Sequence, residues 1–259
     1  MGVAGPTILT ETAEAVARIQ LARPQRKNAI TEEMYAALCE AFAAAEADAS
    51  VRAILLHGQP DVFTAGNDVE DFLRRPPRDA DAPVFRFMAA LSGAAKPVVV
   101  AVNGVAVGIG ATLLLHGDLV YCADDSQFSF PFVHLGLCAE FASSLLLPLT
   151  AGYHRAAEKL MLGDPLSAEE ALEMGLVNRI LPPGEVLDYA GKQCARLCRL
   201  PPESVRETKR LMKSVWSQAV AKAIADENAA LQRLIARPEA REAFEAFVER
   251  RKPDFSKFS

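Results

Sequence analysis

A chain of 259 residues with 51% hydrophobic and 24% charged residues is long enough to bury a large core and too apolar to stay disordered. Its net charge of −5 argues against the basic surface that general nucleic-acid binding needs. No apolar run reaches the length of a membrane span uninterrupted, and Met1 to Pro6 lacks a basic-then-apolar leader, so neither a span nor a signal peptide is expected.

In chain order, Thr7 to Leu21 alternates polar and apolar residues around a break at Thr12-Ala13-Glu14, which predicts two paired strands. Pro24 to Asn28 reads as a loop. Thr31 is placed to cap a helix running to about Asp48, with Glu32 and Glu33 in its first turn. Ala53 to His57 reads as a buried strand, and Asp61 to Asp71 as a turn followed by helix. Arg74 to Pro83, with its prolines and alternating Arg and Asp, reads as a mobile surface loop outside the core.

Pro97 to Val102 predicts a second buried strand, followed by a glycine turn and a short helix to about His116. Leu119–Cys122 and Gln127–Ser129 read as short strands. Helices are expected over Glu140–Leu149, Tyr153–Leu162, Ser167–Met174, and almost continuously from Gly184 to Arg251. Strands and helices alternating ahead of an all-helical tail predict an α/β or α+β core, residues 1–200, and a helical region, residues 201–259, divided near Leu200-Pro201-Pro202.

The five cysteines, Cys39, Cys122, Cys138, Cys194 and Cys198, are scattered and odd in number, which suits reduced thiols and a cytoplasmic protein. His57, His116, His134 and His154 stand singly without zinc-motif spacing, so no metal site is expected.

Two turns and one carboxylate carry the chemistry. Phe63-Thr64-Ala65-Gly66-Asn67-Asp68 and Asn103-Gly104-Val105-Ala106-Val107-Gly108-Ile109-Gly110-Ala111 each follow a buried strand and open a helix. Such turns can present two N–H donors from separate loops to a developing negative charge. Each is also an ordinary strand–turn–helix, with Asp68 as N-cap in the first. Glu140 is the only charged side chain between Asp125 and Arg155. An isolated carboxylate in apolar sequence is costly to bury unless paired, hydrogen-bonded or protonated. The rival reading of Glu140 is a helix N-terminal charge set against the dipole.

These segments together resemble the crotonase family, the enoyl-CoA hydratase/isomerase group. The resemblance runs through Arg23-Pro24 to Asn28-Ala29, Phe63 to Asp68, Ala101 to Asp118, Phe128 to Gly136, Leu162-Gly163 to Ser167-Ala168, Ala171 to Asn178 and Phe247 to Lys252. It implies an α/β crotonase-like (ClpP/crotonase) spiral core of repeated strand–strand–helix units with a helical C-terminal trimerisation region. It implies an acyl-CoA thioester substrate, no metal or redox cofactor, coenzyme A arriving on the substrate, and a homotrimer or hexamer.

On the family pattern the oxyanion donors are the backbone N–H groups of Asn67 and Ile109. Arg26, Lys27, Ala65 and Asp68 fall where the CoA nucleotide binds, although Arg26 and Lys27 also read as solvated loop charges. Phe247 and Arg250 fall where a neighbouring subunit contributes to that site. The family's two hydratase glutamates fall on Thr112 and Phe132, neither of which can activate water as a carboxylate. Glu140 falls where the peroxisomal-type 3,2-enoyl-CoA isomerases keep their acid/base glutamate. The resemblance therefore implies double-bond migration from 3-enoyl-CoA to 2-enoyl-CoA. A weak hydratase, an epoxide-type aryl-CoA isomerase, and a non-catalytic acyl-CoA-binding homologue remain as alternatives.

Overall fold

The computed structural model describes residues 6–77 and 81–258. The chain runs through β1 (Ile8–Ala13), β2 (Val16–Leu21), α1 (Glu32–Ala47), β3 (Ala53–His57), α2 (Val69–Arg74), α3 (Pro83–Ser92), β4 (Val98–Val102), β5 (Val105–Val107) and α4 (Ile109–Thr112). It continues through β6 (Leu119–Ala123), β7 (Gln127–Ser129), α5 (Ser143–Ala151), α6 (Tyr153–Leu162), β8 (Leu166–Ser167), α7 (Ala168–Glu173) and β9 (Arg179–Leu181). Helices α8 (Val186–Cys198), α9 (Pro202–Ser214), α10 (Ser217–Ile235) and α11 (Pro238–Glu249) close it.

The main sheet has the order β1-β2-β3-β4-β6-β9, antiparallel between β1 and β2 and parallel from β2 onward. A smaller sheet, β5-β7-β8, forms a second layer. The chain passes from a main-sheet strand to the second layer, then to a helix, and returns one strand further along. β3 leads to a bridge at Thr64 and then α2; β4 leads to β5 and α4; β6 leads to β7 and the short 3₁₀ turn Pro131–Leu135. This is a spiral of strand–strand–helix turns.

β3 and β4 are buried on both faces, as parallel strands covered by helices must be. Alternate residues serve different cores. Ile54, Leu56, Val98, Val100 and Val102 face the larger apolar cluster. Ala53, Leu55, Val99 and Ala101 face a smaller one closed by Ala190 and Cys194 of α8.

Most of the expected elements form, and the departures are physical. The break between β1 and β2 lies at Glu14 and Ala15, both left-handed. Helix α3, β5, β8 and β9 were not anticipated. α3 buries Phe87, whose ring lies 5.7 Å from Tyr35 and 6.0 Å from Phe42 of α1.

The segment from Arg74 to Pro83, expected to be a surface loop outside the core, is tied down and structural where it is described. Arg75 makes ion pairs with Glu32, Glu33 and Asp71, and Pro76, Pro77 and Pro83 line a cavity. Arg78, Asp79 and Ala80 lie outside the described residues. The helix expected from Glu140 begins instead at Ser143, because Phe141 and Ala142 are both left-handed.

Helix α8 ends at Cys198 and α9 begins at Pro202, and the helices beyond pack into the core. Lys209 of α9 is buried and bonds Asp118 at 2.7 Å and the Lys96 carbonyl at 2.7 Å. Phe244 of α11 joins the larger apolar cluster. No described helix is long and apolar enough to cross a membrane. All five cysteines are free thiols.

Candidate active site

The two glycine turns are brought side by side by strand pairing. Thr64 bridges Ala106 in parallel, with Thr64 N donating to Val105 O at 3.0 Å and Val107 N to Thr64 O at 3.1 Å. Three residues beyond that bridge on each chain stand Asn67 and Ile109. Gly66 has φ +86°, and a Cβ there would meet Val107 O at 2.6 Å, so only glycine permits this approach.

Gly108, with φ +55°, precedes α4, which leaves the Ile109 N–H at a helix N-terminus. Neither the Asn67 N–H nor the Ile109 N–H has an acceptor among the described residues. The first turn is held from behind by Asn28, fully buried, whose amide donates to Val62 O and Phe63 O. Thr64 Oγ1 donates to Asn28 O and accepts from Gly66 N.

Two cavities meet at this point. One, about 600 Å³, is lined by Arg26, Lys27, Ala65, Asn67, Asp68, Ile109 and Phe247 among others. The other, about 460 Å³, runs inward past Tyr35, Phe72, Phe85, Met88 and Glu140. Asn67, Asp68, Phe72, Phe132 and Leu137 belong to both walls.

The structure thus places Glu140 on the inner cavity, Ile109 on the outer one and Asn67 on the wall shared by both, with Arg26, Lys27 and Ala65 also on the outer cavity. Phe247 lines the outer cavity of its own chain, where the resemblance placed it in a neighbour's site. Arg250 is exposed at the left-handed end of α11 and lines neither cavity. Arg26 pairs with Glu70 at 3.1 Å.

Asp68 is occupied on both oxygens. One accepts from the Asp71 N–H as N-cap of α2, and the other pairs with Arg23 at 2.7 Å. Its side chain thus caps α2, as the N-cap reading expects, while the residue also lies on the wall of both cavities.

Glu140 is 6% exposed. Its Oε1 accepts from Thr112 Oγ1 at 2.5 Å, and its Oε2 has no hydrogen-bond partner among the described residues. Burial pushes its carboxyl up to about 8; the Thr112 bond opposes the rise and the charge of Glu227 adds to it. The Glu140 carbonyl accepts from Ser143 N and Oγ, and the left-handed pair Phe141–Ala142 then turns the chain into α5.

Beneath this turn, His116 stacks on Phe141 with ring centroids 3.8 Å apart and bonds Phe141 O through Nε2 at 2.8 Å. Burial pushes His116 down to about 4, so the ring is neutral and Nε2 is the donor. Thr112 and His116, one helical turn apart, together hold the Glu140–Phe141 loop.

Tyr35 and Glu227 escaped the sequence reading. The Tyr35 hydroxyl donates to Asn67 Oδ1, and burial and then the charge of Glu140 push the phenol well above its usual range. Glu227, on α10, bonds the start of α5. A signal for it was present: Glu227 falls on the same helical face as Ile224, Leu231 and Leu234, which pack on the core. Among the described residues no group of three or more His, Cys, Asp or Glu is arranged to hold a metal.

Residues 11–257 match the enoyl-CoA hydratase/isomerase family model. The chain is 34% identical over 257 residues to 1,2-epoxyphenylacetyl-CoA isomerase of Escherichia coli K12, covering 96% of this chain and 98% of that protein. It is 33% identical over 214 residues to human enoyl-CoA delta isomerase 2, covering 80% of this chain and 54% of that protein. Among solved structures, an enoyl-CoA hydratase/isomerase from Pseudoalteromonas atlantica T6c superposes with a TM-score of 0.92 at 38% identity, covering 96% of this chain and all of the other. With its spiral core, paired glycine turns and helical C-terminal region, the chain belongs to the enoyl-CoA hydratase/isomerase, or crotonase, family, and is an acyl-CoA enzyme of that family.

Proposed function

We propose that the chain moves a double bond in an acyl-CoA thioester, from 3-enoyl to 2-enoyl, with Glu140 as the single acid/base. The carrying observation is the Glu140 carboxylate: buried, bonded on one oxygen by Thr112, unpartnered on the other, and lining the inner cavity.

The thioester carbonyl sits against the Asn67 and Ile109 amides. Glu140 Oε2 removes a proton from carbon 2, and the charge moves onto the carbonyl oxygen as a dienolate. One such donor is worth about 3 kcal/mol of transition-state stabilisation in comparable sites. Glu140 then returns the proton to carbon 4, and the double bond comes to lie between carbons 2 and 3. A carboxyl pushed up to about 8 suits both halves, because it is a stronger base than a solvated glutamate and its acid form is populated near neutrality. The thioester brings its own coenzyme A, and the reaction draws on no other cofactor. Arg26 and Lys27 at the outer cavity are placed for the phosphates.

Hydration is disfavoured because Thr112 and Phe132 stand where a second carboxylate would have to work. Thr112 spends its hydroxyl on Glu140, and Phe132 is an apolar wall of both cavities.

A second reading, isomerisation of an epoxide-type aryl-CoA, draws on the aromatic walls of the inner cavity, Tyr35, Phe72, Phe85 and Phe132, and on the likeness to the Escherichia coli protein over nearly its whole length. It uses the same base and the same amides. A panel of 3-enoyl, 2-enoyl and aryl-epoxide CoA thioesters separates the two. The first reading expects 3-enoyl-CoA turnover that falls about 100-fold or more in Glu140→Gln, with acyl-CoA binding nearly intact. A variant keeping more than about a tenth of the rate would remove Glu140 as the base. Conversion of 2-enoyl-CoA to 3-hydroxyacyl-CoA at about 1 per second or faster would replace isomerisation by hydration.

A further inference from the structure

The N-cap position of helix α5 is Ala142, whose methyl side chain cannot accept a hydrogen bond, and no side-chain cap forms locally. The cap comes from α10, 85 residues further on. Glu227 Oε2 accepts from Ala142 N at 2.5 Å, and Oε1 accepts from Ser144 N at 3.0 Å and from Ser144 Oγ at 2.5 Å. Glu227 is 6% exposed. Burial pushes the Glu227 carboxyl above its usual range, while the Ser144 and Ala142 donors and the helix N-terminus favour its charged form. Glu227 holds the Ala142 end of a pair of non-glycine residues, Phe141 and Ala142, that are both left-handed, a conformation that persists only where neighbours enforce it. That pair lies directly after Glu140.

We propose that Glu227 is a positioning residue for Glu140: its carboxylate pins the left-handed turn that aims Glu140 into the inner cavity, and sets a second negative charge against it from α10. The proposal rests on reading Glu140 as the base, and it gives the C-terminal helices a part in the reaction.

The other charged or titratable groups facing Glu140 leave Glu227 in this role. From α1 comes the Tyr35 phenol, held protonated by burial. From its own loop comes the Cys138 thiol, which burial also pushes up. His116, under Phe141, is neutral. The inner cavity wall adds Glu32, Asp68, Asp71, Arg75 and Asp81; Arg75 is engaged by Glu32, Glu33 and Asp71, and Asp68 by Arg23.

The test follows the protonation of Glu140 without needing a substrate. Infrared titration of the Glu140 carboxyl band, from the difference between each protein and the same protein carrying Glu140→Gln, gives its midpoint in wild type, Glu227→Gln and Glu227→Asp. Loss of the opposing charge should lower the midpoint by about half a unit or more in Glu227→Gln. Glu227→Asp should fall between that variant and wild type. With a turned-over thioester, the acid limb of the rate profile should move the same way, and kcat should drop about tenfold with little change in KM.

A remote structural cap would lower the melting temperature and leave the midpoint where it was; that result overturns the proposal. Should Glu227→Gln fail to fold, an unshifted midpoint in folded Glu227→Asp overturns it equally. A shifted midpoint with no turnover on any thioester supports Glu227 as the partner of Glu140 while the isomerase reading fails. An unshifted midpoint beside Glu140-dependent turnover does the reverse.

Discussion

Thr112 donates its hydroxyl to Glu140 across 2.5 Å, linking the helix that ends one spiral turn to the Glu140 loop of the next. The contact decides which oxygen of Glu140 stays free. With Oε1 held by Thr112, Oε2 is the atom that the proposed isomerisation would use to take a substrate proton. The bond also favours the ionised form and so restrains the rise that burial imposes.

Replacing Thr112 by Val keeps the shape and removes the donor. The Glu140 carboxyl should then rise further above about 8, and the acid limb of the rate profile should move to higher pH by roughly 0.5–1 unit. A pH–rate series on the active thioester measures it. A limb moved to lower pH would show that the bond does not favour the carboxylate.

Gly66→Ala tests the approach of the two glycine turns. The new methyl would meet Val107 O at 2.6 Å with φ at +86°, so the turn must shift. A stability loss of roughly 1–3 kcal/mol is expected, together with a rate loss on the order of 100-fold as the Asn67 amide moves off the thioester oxygen. Denaturant titration and steady-state kinetics report the two effects separately. Full activity in a destabilised protein would detach Asn67 from catalysis.

Glu140 makes stability depend on pH in a defined direction. Its folded carboxyl is raised from 4.5 to about 8, so the folded state holds a proton that the unfolded chain has lost. Its contribution is fully present below about pH 4.5 and disappears as pH rises through about 8. Glu140→Gln, which cannot ionise, should therefore gain on wild type by roughly 3–5 kcal/mol at pH 9 and show little such gain at pH 4. Melting curves of the two proteins at both pH values decide it; a difference independent of pH would mean that the Glu140 carboxyl titrates in the folded protein as it does in the unfolded chain.

Assembly is the remaining prediction. Leu211, Met212, Val215 and Trp216, at the junction of α9 and α10, are 53%, 63%, 71% and 46% exposed. So much apolar side chain in one place is expected to be covered by other copies, giving a trimer or a dimer of trimers. Light scattering at micromolar concentration should give a trimeric or hexameric mass, and Val215→Glu should reduce it. Truncation after Leu200 should leave insoluble or inactive protein, because it removes Lys209, Glu227 and Phe244 from the core. A fully active monomer would contradict the assembly.

Local patterns carried the elements whose cause is local. Thr31 caps α1, and runs such as Ala53–Leu56 and Pro97–Val102 are apolar throughout because both faces of a parallel strand are buried. Glu140 stood out because no other charge surrounds it in sequence. The glycine turns were visible because only glycine tolerates the approach made at Gly66.

What sequence could not decide was where distant side chains end up. The register of Thr64 against Ala106 sets Asn67 beside Ile109, and it depends on pairing between separate turns of the spiral. The ion pair of Asp68 with Arg23, 45 residues away, could not be read from the chain either. The negative charge at the start of α5 belongs to Glu227 rather than Glu140, because two left-handed residues separate Glu140 from the helix and α10 folds back to fill the vacant cap. Propensity, capping and burial pattern act over a few residues and are written in the chain. The environment of a buried carboxylate is assembled from four separate segments, and only their packing together determines it.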